Sequence, residues 1–199
     1  MQSTGSVNPI IPGQKIIAIF GFCDIRNFTD ATEVLQEEVM VFVNAIGAIV
    51  HDTVDQYSGA PNKNIGDAFL LVWKFDESNV KRSGQNEISL DIDNSAVAQL
   101  ADMSVISFLK IIAGIKRSRQ LIKYKQNKAL CERIPNFEVR MGFGMHVGWA
   151  IEGAIGSIYK IDASYLSPNV NMASRLEAAT KQFGVELLIS GEMWEILSL

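Results

Sequence analysis

"KIIAIFGFCDIRNFT" (residues 15–29) opens with a continuous apolar run, Lys15 to Phe22, that is β-branched and aromatic. Unbroken apolarity of this kind suits a strand covered on both faces. The run ends at an acid, Asp24, where a buried strand would reach the edge of the core. A carboxylate in that position either meets solvent or meets a partner, so the rest of the chain is read for what could meet it.

Downstream, Val34, Leu35, Val39, Phe42, Val43, Ile46, Ile49, Val50 and Val54 recur at spacings of three and four, with Glu37 and Glu38 on another face. The period predicts a long amphipathic helix, or a helix pair, over 32–57. Ser58-Gly59-Ala60-Pro61 ends it, and "NKNI" (62–65) and "AFLLVWKF" (68–75) flank Gly66-Asp67 as two strands flank a tight turn. The stretch 76–94 is polar, contains Gly84 and has no period, so it reads as a surface excursion. Val97, Leu100, Val105, Phe108, Leu109, Ile112 and Ile115 predict a second long helix from Ser95 to about Lys128. "FEVRMGFGMHVGWAIEGAIGS" (137–157) reads as two strands around a bend at Gly148. Ser167 as N-cap, Pro168 in the first turn and Gly184 at the end delimit a further helix, after which "VELLIS" (185–190) is a short strand and "GEMWEIL" (191–197) a helical turn. This order of elements calls for an α+β fold, a ferredoxin-like antiparallel or mixed sheet with helices mainly on one face. Residues 1–14 read as a flexible N-terminal segment ahead of a single domain over 15–199.

Composition narrows the function classes. The 199 residues are 48% hydrophobic, enough for a sizeable core, and the net charge of −4 gives no general attraction to nucleic acid or anionic lipid. "KRSRQLIKYKQNK" (116–128) concentrates six basic residues, but with Tyr124 as its one aromatic it reads as a solvated helix end. Cys23 and Cys131 form neither a metal spacing nor a disulfide framework, which fits a reducing compartment. No uninterrupted run approaches the roughly 20 apolar residues of a membrane span.

If the first strand runs up and its helices return the chain, the second strand runs up parallel to it by a right-handed crossover, and its hairpin turn lies at the top. Asp24 and Asp67 then converge on one edge. Two unpaired carboxylates repel; sharing one or two hard divalent cations, Mg²⁺ or Mn²⁺, they become ligands. The main chain from Ile25 to Thr29, turning into a helix, offers N–H groups to an anion such as a phosphate. An aspartate after glycine also suits a hairpin turn by shape alone, so spacing leaves both readings open. Asn171 and Arg175, one helical turn apart, present an amide and a guanidinium on one face, for a ribose and a phosphate or for solvent. Lys63, three residues before Gly66, projects from the hairpin toward a base edge or toward water.

Taken together, these segments resemble the class III nucleotidyl cyclases, the adenylyl and guanylyl cyclase catalytic domain. "FGFCDIRNFT" (20–29) resembles the family's first metal motif, "KNIGDAF" (63–69) its second, "RMGFGMHVG" (140–148) its central strand and "NVNMASRLEAAT" (169–180) its signature helix, in family order over nearly the whole chain. The resemblance implies two divalent cations, Mg²⁺ or Mn²⁺, held by Asp24, Asp67 and the Ile25 carbonyl, with the loop Ile25, Arg26, Asn27, Phe28 and Thr29 under a triphosphate. It implies a head-to-tail homodimer, or a heterodimer with another cyclase domain, in which Asn171 and Arg175 reach the partner's nucleotide. Lys63 and Ser164 match the base-selecting positions: a lysine can donate to adenine N1 and a hydroxyl can accept from the adenine amino group, which favours ATP over GTP. The implied activity is conversion of ATP to 3′,5′-cyclic AMP and pyrophosphate in the cytoplasm, with no nucleic acid partner and with membrane attachment left to a longer protein. The alternatives are a guanylyl cyclase and a regulatory module active only with a partner chain. Three departures stand out. Trp149 occupies a position where some members carry an arginine, Ser167-Pro168 stands where a glycine is usual, and the resemblance reaches Leu199 without the family's closing C-terminal hairpin.

Overall fold

In the computed structural model, which describes residues 11–83, 87–157 and 159–198, the apolar run becomes the middle of a sheet. Strand β1 (Gln14–Ile25) pairs along one edge with β3 (Ala68–Lys74) and along the other with β6 (Met141–Ser157), both antiparallel. Strand β2 (Ala60–Ile65) extends the sheet beyond β3, and β7 (Lys160–Leu166) extends it beyond β6, giving the order β2-β3-β1-β6-β7. β8 (Leu187–Ile189) joins β6 in parallel at Phe143–Met145. β2 runs in the direction of β1, as the crossover requires, with β3 between them. The expected flexible segment falls mostly outside the described residues, and Gln14 already pairs with Glu152.

Alternation along β1 divides the core. Ile17, Ile19, Cys23 and Ile25 join Phe69, Leu71, Trp73, Phe143 and Met145 on one face. This face packs on Phe42, Ile46 and Val50 of α2 (Val39–Gln56) and on Phe108 and Ile111 of α3 (Ser95–Arg117). Each fully buried large apolar side chain there, such as Phe42 or Trp73, contributes about 1.5–3 kcal/mol relative to exposure. Ile16, Ala18 and Phe20 point the other way and meet Leu70, Val72, Ala150 and Ala173, the last on α6 (Pro168–Phe183). Helices therefore lie mainly on one face, with α6 alone against the other. The segments 28–56 and 95–117 are long and apolar enough to cross a bilayer by length and composition, but their apolar stripes pack on the sheet.

One alternative resolves and two local expectations change. Of the two readings of the helical region after β1, the pair is the one formed, α1 (Phe28–Leu35) and α2, joined by a single 3-10 turn at Gln36–Glu38. The predicted helix over 95–128 is three: Ser118 takes extended dihedrals between α3 and α4 (Arg119–Lys125), and Asn127 caps α5 (Lys128–Arg133) by accepting from the Leu130 amide. No bend occurs at Gly148, because β6 is one continuous strand starting at Met141, and a Cβ there would strike the Asn169 side chain. Gly144 and Gly148 mark close approach by α6. The excursion after β3 carries a small hairpin, β4 (Val80–Ser83) with β5 (Glu87–Leu90), while Gly84 lies outside the described residues. α7 (Gly191–Glu195) closes the described chain, and the Ser167 cap and Gly184 stop of α6 are as expected.

Candidate active site

Asp24 lies opposite Ala68 in the β1–β3 ladder, so Asp67, in the turn just before Ala68, is its neighbour. Gly66 takes a left-handed φ of 65° to make that turn, and the Ile25 amide donates to the Asp67 carbonyl at 3.3 Å. The two acids predicted to converge therefore do. They line a cleft of about 470 Å³ together with Ile25, Arg26, Asn27, Phe28, Thr29, Asp30 and Lys181. Burial and the Asp67 charge push the Asp24 carboxyl above its usual pKa, while Lys181 and Arg26 pull it back. A half-buried pair of like charges suits a cation. The two carboxylates offer oxygen donors, the kind a hard ion such as Mg²⁺ or Mn²⁺ prefers, although among the described residues no group of three or more His, Cys, Asp and Glu gathers that could hold a metal ion by side chains alone.

The loop under the acids is built by Asn27, which adopts a left-handed φ of 57° ahead of α1. No side chain caps α1, so its leading amides are without a side-chain partner beside the cleft, as an anion site requires. Arg26 lines the cleft, but its guanidinium turns into the protein, pairing with Glu177 of α6 at 2.8 Å and donating to the Thr180 hydroxyl. Burial raises the Glu177 carboxyl and Arg26 lowers it, with a net upward shift. Gly142 of β6 makes room for this pair, since a Cβ there would overlap both side chains.

The base-selecting residues of the resemblance come together although they sit on the two ends of the strand order. Lys63 Nζ donates to Ser164 Oγ at 3.0 Å, and Asn62 Nδ2 donates to the Ala163 carbonyl at 3.4 Å, so β2 and β7 meet. Asn171 and Arg175 stand apart from the carboxylates. Both are exposed on α6, and neither lines the cleft. Lys181 on the same helix does line it, and Asn171 lies ten residues before it, about 15 Å along the axis.

Lys181, Glu177 and His146 were not singled out from the sequence. Lys181 reaches the cleft, and Glu177 reaches Arg26 behind it, because α6 runs antiparallel to β6, a tertiary fact; the signal that could have found Glu177 is an acid on the apolar stripe of its helix. His146, buried on β6, bonds Ser190 Oγ through Nδ1 at 2.8 Å and Asn169 Oδ1 through Nε2 at 3.1 Å, which pins the start of α6 to the sheet. Trp149 is half-exposed, with the Lys15 ammonium 4.9 Å from its ring centre.

Known proteins resemble this chain over most of its length. An adenylate cyclase of Anabaena cylindrica is 26% identical over 179 residues, 89% of this chain and 30% of that protein. The terminal-differentiation specific adenylate cyclase of Dictyostelium discoideum is 29% identical over 177 residues, 88% of this chain and 7% of that protein. The chain thus spans less than a third of the length of these relatives. Among solved structures, a bacterial light-regulated adenylyl cyclase superposes with a TM-score of 0.71 at 27% identity, over 96% of this chain and 48% of that one. A family profile, the adenylate and guanylate cyclase catalytic domain, matches residues 13–198, which takes in the acid-bearing β1, the hairpin turn and α6 alike. With that span matched, the chain belongs to the adenylate and guanylate cyclase catalytic domain family.

Proposed function

We propose that this domain converts ATP to 3′,5′-cyclic AMP and pyrophosphate at a site shared by two chains. The observation that carries the reading is the juxtaposition of Asp24 and Asp67 beside an uncapped helix start, an arrangement suited to two divalent cations and a triphosphate. Asp24, Asp67 and the Ile25 carbonyl would hold the cations. When bound, Mg²⁺ or Mn²⁺ supplies charge neutralisation of the triphosphate and a lowered pKa for the ribose 3′ hydroxyl. The chain's own groups do the rest. Amides from Asn27 to Thr29 cradle phosphate oxygens, those of Ile25 and Arg26 being taken up by the Asp67 and Arg140 carbonyls, with Lys181 adding a positive charge at the cleft wall. Asn171 of one chain orients the ribose bound by its partner, and Arg175 neutralises charge that develops on the α-phosphoryl group as the 3′ oxygen attacks and pyrophosphate leaves.

The relatives named as adenylate cyclases support ATP, as does the Lys63–Ser164 pair. Lysine donates to adenine N1, an acceptor, whereas guanine presents an N–H donor at N1. The reading implies a cytoplasmic domain, in keeping with the free thiols of Cys23 and Cys131. The test is turnover of ATP and of GTP by the purified chain with Mn²⁺, with product identified by mass. Cyclic AMP as the main product is expected, and activity should vanish in Asp67→Ala; a preference for GTP, or undiminished turnover by that variant, overturns the reading.

A further inference from the structure

Five charged side chains line the cleft: Asp24, Arg26, Asp30, Asp67 and Lys181. Two of them are committed outside it. Asp30 holds Arg133 at 2.7 Å, and the Arg26 guanidinium holds Glu177 at 2.8 Å. That leaves the two carboxylates assigned to the cations and one charge of opposite sign, Lys181. Its side chain is exposed, and among the described residues its ammonium makes no hydrogen bond or ion pair. A lysine in the last turn of a helix suits the helix dipole, which alone would account for its sign. The dipole does not account for its freedom. Glu177 stands four residues earlier on α6, in the order that favours an ion pair within a helix, yet Arg26 takes it instead. Arg26 also donates to Thr180, the residue before Lys181, so the end of α6 is held against the loop while Lys181 stays available to the cleft.

A nucleoside triphosphate outweighs two divalent cations once both carboxylates are counted, so the filled cleft calls for further positive groups. The partner's Arg175 is assigned to the α-phosphoryl group, which leaves the other end of the phosphate chain unanswered. Resting on the cyclase reading above, we propose that Lys181 holds the pyrophosphate half of the nucleotide bound in its own chain's cleft, its ammonium donating to oxygens of the β- and γ-phosphates. An ammonium on a flexible four-carbon stem suits this task, because it can stay with the diphosphate as that group becomes the product. Helix α6 then serves both sites of a dimer: its last turn binds phosphate in its own chain, while Asn171 and Arg175, further back on the same helix, serve the partner.

The test is calorimetric binding of inorganic pyrophosphate to the purified chain in excess Mn²⁺, which involves no turnover, beside a titration with Mn²⁺ alone. Lys181→Met should weaken pyrophosphate binding about tenfold, the loss of one charge-assisted contact. Mn²⁺ alone should bind the variant no more weakly than the wild type, since removing a positive charge beside Asp24 takes away a repulsion. Lys181→Gln should give the same pattern, and Lys181→Arg, which keeps the charge, should stay within about threefold of the wild type. Unchanged pyrophosphate affinity in Lys181→Met overturns the proposal, as does a loss in Lys181→Arg as large as in Lys181→Met. Equal losses for Mn²⁺ and pyrophosphate, which a disturbed α6 would give, overturn it too, as does a wild-type chain that binds no pyrophosphate at millimolar concentration. The two readings fail separately. A wild-type chain that cyclises neither ATP nor GTP overturns the cyclase reading, whereas an active cyclase whose pyrophosphate affinity ignores Lys181 overturns only the role of that residue.

Discussion

At the scale of single residues the site is an electrostatic problem before it is a catalytic one. Asp24 holds its charge against burial and against Asp67, and its pKa in the folded chain lies above the usual carboxylate value. The folded state therefore binds that proton more tightly than the unfolded state. The associated stability is present at low pH and is lost as pH rises through the raised pKa. A cation reverses the sign by favouring the ionised form. Asp24→Asn removes the penalty, so in chelator at pH 7 the variant should melt higher than the wild type. Millimolar Mn²⁺ should raise the melting temperature of the wild type, and the variant should lack that rise. Thermal melts with EDTA and with Mn²⁺ check both halves; a variant that melts lower in EDTA, or that keeps the full Mn²⁺ response, contradicts the assignment. Both acids were legible in the sequence because each is marked locally, one by the end of an apolar run and the other by a Gly-Asp turn. Lys181, which faces them, was not, because nothing near it in sequence says where the end of α6 will lie.

Among the elements, α6 decides how much of the site can exist at once. It seats on β6 over glycines, and a Cβ on Gly144 would strike its backbone at Ala173 and Glu177. Gly144→Ala should cost about 1–3 kcal/mol through forced displacement of α6, read as a shift of the denaturant midpoint. The Arg26–Glu177 pair then ties the far end of the helix to the loop below Asp24, with side chains only 16% and 6% exposed. A buried charge stripped of its partner costs about 3–5 kcal/mol, whereas replacing both charges by apolar groups is often neutral. Glu177→Leu alone should therefore destabilise strongly, and adding Arg26→Met should restore much of the loss. A double variant no more stable than Glu177→Leu would show that packing, not charge, holds this junction. Capping made α6 legible, since Ser167, Pro168 and Gly184 act within a turn of the helix ends. The same local logic misread β6 at Gly148, where a glycine demanded by α6 from the other side of the sheet looks like a bend. It also missed the break at Ser118, whose extended dihedrals carry no composition signal.

For the whole molecule, the question is why the groups assigned to one reaction stand so far apart in one chain. Asn171 and Arg175 are exposed and absent from the cleft that holds Asp24 and Asp67. The same helix and the neighbouring strands carry exposed apolar side chains: Trp149, Ile155, Leu166 and Met172 are each 38–57% exposed along β6, β7 and α6. Apolar surface beside unemployed polar groups is what an interface looks like before its partner arrives. In a two-fold dimer each site would take its carboxylates from one chain and its Asn171 and Arg175 from the other. That arrangement predicts complementation. Asp67→Ala and Arg175→Ala should each be inactive alone, yet an equal mixture should recover about a quarter of wild-type activity. Random pairing makes about half the dimers mixed, and each mixed dimer has one intact site of two. Mixing Asp24→Ala with Asp67→Ala should recover nothing, since neither chain brings a full set of carboxylates. An excess of the Asp67→Ala/Arg175→Ala double variant should suppress wild-type chains, because every mixed site then lacks one half. Absence of recovery, with mixed dimers verified by native mass spectrometry, would mean that each chain completes its own site and that α6 must move by more than a helical turn to do it.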